Sequence, residues 1–356
     1  MRSHATLLAA LTAALAPAPA FAQAPSGTAP VKVFVLAGQS NMEGKAPNAL
    51  LDSQAADPRT KELFAHLRKD DKWVVRDDVF IKFLDRKGPL TVGFGSPNRT
   101  GPELEFGTAI GNHFEEPVLL IKTAWGGHSL YKNFRPPSAG LPAAELLQGE
   151  LDRLQAGVKK FNEKNKKDAP LPTLDDVKKG YGASYRMMLA EVKEATANAG
   201  TLFPALKDRP LQIAGFVWFQ GWNDQYNGAE VEYEANLKHL INDVRKDLGA
   251  PKLPFVIAAM GQNGSKPATG PMLVIQKAQM AMNDVPEFKG TVKAFRTDVL
   301  VDKVAEELFP KWRENPEQWK LVGGDGGYHY FGSAVWFNRI GKASADAMLD
   351  LLKEQK

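Results

Sequence analysis

Ser40 and His329 are the two side chains of this 356-residue chain whose types and settings lend themselves most directly to chemistry. Ser40 follows the apolar run Val33-Phe34-Val35-Leu36-Ala37, short and β-branched enough to be a buried strand. Gly38 breaks the run, and Gln39-Ser40-Asn41-Met42 starts a turn towards a helix. The strand fixes a serine in such a place, and the N–H groups at the helix start offer positive potential to an oxyanion. His329 stands in Gly323-Gly324-Asp325-Gly326-Gly327-Tyr328-His329-Tyr330, just ahead of a helix predicted over 332–352. A histidine on a glycine-rich loop is positioned by backbone and free to face a pocket, where it can take a serine proton as general base. Asp325 orients the ring if the loop bulges; otherwise Asp298, Asp302 or a backbone carbonyl does so.

Other readings of the first stretch fit less well. A phosphate-binding loop needs four residues between its glycines and a Ser or Thr after the lysine, whereas five separate Gly38 from Gly44-Lys45 and Ala46 follows. The nucleophile elbow of α/β-hydrolases fails because Met42 takes the place of its second glycine. A serine here can also simply cap a helix. Elsewhere, Gly126-Gly127 follow a second buried run at 117–121, and a glycine pair beyond a strand lets the backbone turn sharply and aim N–H groups into a crevice.

These residues need a frame. Further apolar runs at 213–219, 253–260 and 291–295 read as strands, and amphipathic stretches at 184–199 and 233–248 read as helices between them. Helices are also predicted over 59–70, 101–113 and 272–283, and residues 74–84 as one or two short strands. Strands alternating with helices imply a parallel sheet with right-handed crossovers, in one three-layer α/β domain over 31–356. The candidates fall just after strand ends or on the last loop, where open α/β sheets bind ligands. Residues 131–180 read as an insertion, with Arg135 available to substrate and a solvated, lysine-rich helix end at 159–167. His66 reads as a surface histidine and His239 as structural. Residues 1–22 have a short basic start, a compact apolar core and Ala20-Phe21-Ala22, the pattern of a secretory signal, with a loose tether at 23–30; the mature chain is then exported, periplasmic or secreted. The composition, 44% apolar and 24% charged, suits a soluble protein with a sizeable core. The formal charge of +4 is too small and dispersed to argue for nucleic acid, no later run is suited to membrane insertion, and without cysteine there is no disulfide, thiolate nucleophile or zinc–thiolate site. There is no His-Glu-x-x-His, nor any carboxylate cluster with ligand spacing, so neither metal nor other cofactor is expected.

Gly38-Gln39-Ser40-Asn41-Met42-x-Gly44 resembles the first sequence block of the SGNH hydrolases, in the form used by sialate O-acetylesterase-like proteins and the acetylxylan esterases of carbohydrate esterase family six. The resemblance covers nearly all of the mature chain. It implies a flavodoxin-like fold, here with a mainly parallel five-stranded sheet. It implies that Ser40 is the nucleophile, with Gly127, or Gly126, donating an oxyanion N–H beside that of Ser40. Gly221-Trp222-Asn223-Asp224 matches the third block, in which Asn223 is the oxyanion asparagine. The acetylesterase relatives commonly end this strand His-Gln-Gly-Glu; here Phe219 and Trp222 replace the His and Glu and Gln220 is kept, so Asn223 and Gln220 are both donor candidates. The fifth block, Asp-x-x-His, is met by His329, but Asp325 stands one place too early. Gln39, Glu103 (in a Gly-Pro-Glu that recurs in the family), Arg135 and Trp222 complete the candidates for substrate binding.

The function so implied is removal of O-acetyl groups from a carbohydrate through a Ser-His(-Asp) acyl-enzyme. Trp125, Phe134, Trp222 and Tyr226 are available to stack on sugar rings or to pack the core and rim. A non-catalytic carbohydrate-binding protein on the same fold, and an esterase for non-carbohydrate esters, are the alternatives.

Overall fold

The computed structural model describes residues 29–355, so the secretory signal and most of the tether read from the sequence lie outside the described residues. Seven strands form the central sheet: β1 (Val31–Gly38), β2 (Val79–Phe83), β3 (Arg86–Pro89), β4 (Val118–Ala124), β5 (Leu211–Phe219), β6 (Phe255–Ala259) and β7 (Val292–Arg296). Their spatial order is β7-β6-β5-β1-β4-β2-β3. Every neighbouring pair is parallel except the β2–β3 hairpin at the edge. Strands β1, β4, β5, β6 and β7 are the five read from the sequence; the sheet exceeds that reading by β2 and β3. The 74–84 stretch supplies β2, whereas β3 is Arg-Lys-Gly-Pro, a short charged edge strand ending in proline with no apolar pattern to announce it.

β1 shows why the layers form. Val31, Val33, Val35 and Ala37 enter one core and Phe34 and Leu36 the other, the period-two alternation of a strand covered on both faces. One face is covered by α2 (Glu103–His113) and α8 (Ala334–Glu354). The other carries α5 (Ala183–Ala197), α6 (Tyr233–Asp247) and α7 (Gly270–Met280). Residues predicted as a helix over 59–70 form only a single turn at Lys61–Phe64 before a 3-10 turn and a two-residue ladder. The insertion folds into α3 (Ala144–Asn165) and α4 (Leu174–Gly180) around a small core of Leu147, Leu151, Val177 and Tyr181.

The register gathers the site. Gly38 at the end of β1 pairs with Ala124 at the end of β4 and with Phe219 at the end of β5. The segments after these three strands therefore start side by side. Gly38 must be glycine, because a Cβ there would lie 2.1 Å from the Phe219 carbonyl oxygen. α1 (Ser40–Glu43) follows at once and buries Ser40, Asn41 and Met42.

Candidate active site

Ser40 is only 6% exposed, and His329 Nε2 lies 3.0 Å from its Oγ. The histidine loop is tightly wound. The Gly324 and Asp325 N–H groups donate to the Phe331 carbonyl, and those of His329 and Phe331 donate to the Gly326 carbonyl. Tyr330 and Phe331 both sit in the left-handed region, at φ 53° and 58°, a conformation costing about 1–3 kcal/mol per non-glycine residue and sustained only where the surroundings over-determine it. Here they do: the wholly buried Tyr330 hydroxyl accepts from the Gly261 N–H at 2.9 Å and meets Thr297 Oγ1 at 2.8 Å, while its ring packs edge-on against Trp336. Asn41 Nδ2, next to Ser40, donates to the Tyr328 carbonyl at 3.1 Å and ties the serine turn to the histidine loop.

The displaced aspartate reaches the ring. Asp325 Oδ1 lies 3.0 Å from His329 Nδ1, but off the ring N–H direction, so that buried nitrogen makes no aligned hydrogen bond. Apo catalytic hydrogen bonds are often poorly aligned and tighten once substrate binds. The extra residue between Asp325 and His329 is absorbed by Gly326, extended at φ −73°, ψ 168°, before the turn begins. Burial pushes the Asp325 carboxyl up, but His329, the Gly326 N–H and Arg99 outweigh it and hold it below the usual carboxylate range. Arg99 Nη1 donates to Asp325 Oδ2 at 2.8 Å and to the Lys45 carbonyl at 2.6 Å. The two other aspartates considered are occupied elsewhere. Asp298 pairs with Arg296 and Asn263, and Asp302 accepts from Ser333 Oγ and caps a helix.

The two amide donor candidates separate cleanly. Gln220 is 3% exposed; its Nε2 donates to Gln39 Oε1, the His128 carbonyl and Asp224 Oδ2, and its Oε1 accepts from Tyr233. It has no donor left for an oxyanion. Gln39, itself 2% exposed, takes the Gln220 amide and the Gly221 and Asn223 N–H groups on its Oε1 and gives Nε2 to Asn223 Oδ1 at 3.0 Å. That contact fixes the Asn223 amide and leaves its Nδ2 pointing away from Gln39, with no hydrogen bond of its own among the described residues. Gln39 and Gln220 thus orient Asn223 rather than meeting substrate. Asn223→Ala is expected to lower kcat on an acetyl ester by about 10²–10³-fold, the cost of losing one preorganised oxyanion donor, with KM little changed; steady-state kinetics on 4-nitrophenyl acetate checks this.

The glycine pair divides similarly. The Gly126 N–H donates to Glu43 Oε1 at 2.9 Å. Gly127, at φ 78°, would place a Cβ within 4 Å of nothing, and its N–H, like that of Ser40, has no acceptor among the described residues. Asp224, which sequence reasoning passed over, pins this side: wholly buried, it accepts from the Leu130 and Tyr131 N–H groups and from Gln220, joining the loop after β4 to the turn after β5. Burial raises its carboxyl to about 6 despite those three donors. His128, whose Nδ1 lies 2.7 Å from Ser184 Oγ, is lowered by burial and is not in contact with Ser40.

Two further candidates for substrate binding are corrected. Glu103 meets no substrate: it is fully buried against Lys122 at 2.9 Å, and Lys122 also donates to the Glu43 and Phe94 carbonyls. A charged pair so deep is tolerable only because every donor and acceptor is used, and here it buttresses the end of the Ser40 turn. Arg135 is 6% exposed, its guanidinium spent on the Tyr131 and Gly140 carbonyls and Glu232. Phe134 is core, edge-on to Trp218. Trp222 is half-buried and packs near Tyr328, which is 48% exposed beside His329; Tyr226 is 52% exposed, and Trp125 stacks on His128. His66, read as a surface residue, has its Nε2 2.8 Å from the buried Glu105 carboxylate, which raises its basicity. His239 meets Ser138 Oγ and holds the 137–139 turn.

A cavity of about 500 Å³ opens at the opposite end of the sheet, among Lys32, Phe114, Gln212, Leu253 and Leu352, and no candidate site residue lines it. Among the described residues no group of three or more His, Cys, Asp or Glu has the arrangement of a metal site.

With this geometry in hand, likeness to known proteins can be set beside it. A family model described as carbohydrate esterase, sialic acid-specific acetylesterase, matches residues 30–167 and 172–304. The match includes Ser40, Gly126, Gly127, Gln220 and Asn223 and stops short of Asp325 and His329. No curated protein matches the chain significantly. Among solved structures, a protein from Arabidopsis thaliana is similar over 90% of this chain and 98% of its own, at 15% identity and a TM-score of 0.51, a likeness of fold. A carbohydrate acetylesterase from Xanthomonas citri aligns over 76% of this chain and 51% of its own (14% identity, TM-score 0.41). NanS aligns over 76% and 79% respectively (12% identity, TM-score 0.42).

Proposed function

The chain belongs to the carbohydrate esterase family of sialic acid-specific acetylesterases, and from that premise we propose that it removes O-acetyl groups from a carbohydrate through an acyl-enzyme formed on Ser40. The observation that carries this reading is the Ser40–His329–Asp325 contact chain, 3.0 Å at each link, at the shared ends of β1, β4 and β5. His329 Nε2 takes the Ser40 proton as Oγ attacks the acetyl carbonyl. The oxyanion meets the N–H groups of Ser40 and Gly127 and the Asn223 amide, none of which has an acceptor among the described residues. His329 then protonates the leaving sugar hydroxyl, water attacks the acetyl group with His329 again as base, and acetate departs. Asp325, held ionised, supports the imidazolium that forms in each half-reaction.

Trp222, Tyr328 and Tyr226 offer apolar faces to a sugar ring beside this centre. The cations that touch the site are already committed: Lys45 to Glu43 and Ser96, Arg99 to Asp325, Arg135 to Glu232. None of these three is left over to meet a substrate carboxylate, which favours a neutral acetylated sugar over a sialic acid. The leader pattern read in residues 1–22 is the basis for an exported, periplasmic or secreted location. The test is acetate release by the wild type from acetylated xylan, O-acetylated sialic acid and 4-nitrophenyl acetate. Turnover is expected on all three acetyl esters, with acetylated xylan ahead of the sialate. Preference for the sialate would overturn the neutral-sugar reading, and no acetate from any of them would overturn the esterase reading and move a binding protein up.

A further inference from the structure

We propose that Glu43 is a positioning residue for the oxyanion site: by accepting the Gly126 N–H it holds the Gly126-Gly127 turn so that the Gly127 N–H stays free to face the ester. This rests on the esterase reading and goes beyond it, since nothing in the nucleophile word demands a carboxylate at that place. Glu43 is the last residue of α1, one helical turn after Ser40. Its Oε1 accepts from the Gly126 N–H at 2.9 Å. Its Oε2 accepts from Lys45 Nζ at 2.6 Å and Ser96 Oγ at 3.0 Å, and its carbonyl accepts from buried Lys122. A Cβ built on Gly126 would lie 3.7 Å from Glu43 Oε1 and 3.8 Å from Ser40 Cβ, so carboxylate and nucleophile flank the same glycine.

The arrangement solves two problems at once. Two successive glycine N–H groups compete to face the cleft; a carboxylate that takes the first selects the second. A bare negative charge so near a developing oxyanion would oppose it, and Lys45 neutralises that charge at hydrogen-bond distance. Burial pushes the Glu43 carboxyl up, but Lys45, Ser96 and Gly126 outweigh it and keep it ionised. The strap that supplies Ser96 also supplies Arg99 to Asp325, so one loop steadies both the oxyanion side and the acid behind the histidine.

Two measurements test this. Steady-state kinetics on an acetyl ester should show Glu43→Ala lowering kcat by about 10²-fold with little change in KM, the scale of a misplaced catalytic group. Glu43→Gln, which keeps an acceptor for Gly126, should recover activity to within about threefold of wild type. Residue-resolved amide exchange by NMR on the wild type should show the Gly126 N–H protected and the Gly127 N–H exchanging freely, whatever the variants do to folding. An active wild type with Glu43→Ala equal to it, or with Glu43→Gln as impaired as Glu43→Ala, overturns this proposal alone, as does protection at Gly127 instead of Gly126. A wild type that releases no acetate overturns the esterase reading, and the oxyanion role of Glu43 falls with it.

Discussion

Ser40→Ala and His329→Ala are each expected to lower kcat for acetyl ester hydrolysis by about 10⁴–10⁶-fold, and the double variant by no more than either alone. The non-additivity is the informative part. In the proposed mechanism Ser40 Oγ is a weak nucleophile until His329 Nε2, 3.0 Å away, accepts its proton, so removing either partner would remove the same step. What survives is binding and the oxyanion donors, which neither substitution touches. Steady-state and single-turnover rates on 4-nitrophenyl acetate, with KM recorded alongside, check this. Additive losses would mean that the two residues do not act as one unit.

Asp325→Asn carries the second largest expected effect, about 10⁴-fold in kcat, the scale seen when a triad carboxylate is replaced by its amide. Asp325 is the sole carboxylate in contact with the His329 ring among the described residues, and in the proposed mechanism its charge stabilises the imidazolium. An amide there removes the charge, and its NH₂ group faces donors on every side: the Gly326 N–H at 2.7 Å, Arg99 at 2.8 Å and the histidine. Because the carboxyl is held below its ordinary 3.8, it loses its charge only as pH falls through a value lower still. Any contribution to stability is present above the ordinary value and lost as pH falls through the lowered one, so Asp325 itself stays charged at every pH above about 5 and the deficit of Asp325→Asn should persist on the high-pH plateau of kcat. A pH–kcat profile from 5 to 9 for both proteins tests this; a deficit that vanished within that range would transfer the orienting role to another group.

Much of this was readable from the residues. The β-branched run ending in Gly38, with Gln39 and Ser40 beyond it, implied a strand that delivers a serine to a turn, and the close approach of Gly38 to Phe219 shows why the break is glycine. Three apolar runs with polar words at their ends implied one edge of one sheet. The glycine-rich loop placed His329 correctly even with its aspartate out of step, because a turn rich in glycine has room for one more residue. What stayed hidden depends on contacts between distant segments. Nothing in Gly221-Trp222-Asn223-Asp224 tells which amide is free, because the answer lies in Gln39, more than 180 positions away. Lys122 did carry a signal: a lysine inside an apolar strand needs a buried partner, and a Gly-Pro-Glu upstream was the candidate. Read from the sequence, Glu103 goes to substrate instead, because Gly-Pro-Glu recurs in the family that the chain resembles. Arg99 had no pattern to mark it, sitting in a loop of Gly, Pro, Ser and Asn, and the edge strand β3 lacked the apolar alternation by which strands are recognised.

The most direct test of the central claim is to look for the acyl-enzyme itself. Wild-type protein is mixed with excess 4-nitrophenyl acetate, quenched in acid during turnover and digested, and the peptide containing Ser40 is read by mass spectrometry. The expected result is an acetyl group on Ser40 in the wild type and its absence in Ser40→Ala. Vigorous hydrolysis with Ser40 unmodified, or acetylation of the same peptide persisting in Ser40→Ala, would contradict the mechanism at its first step.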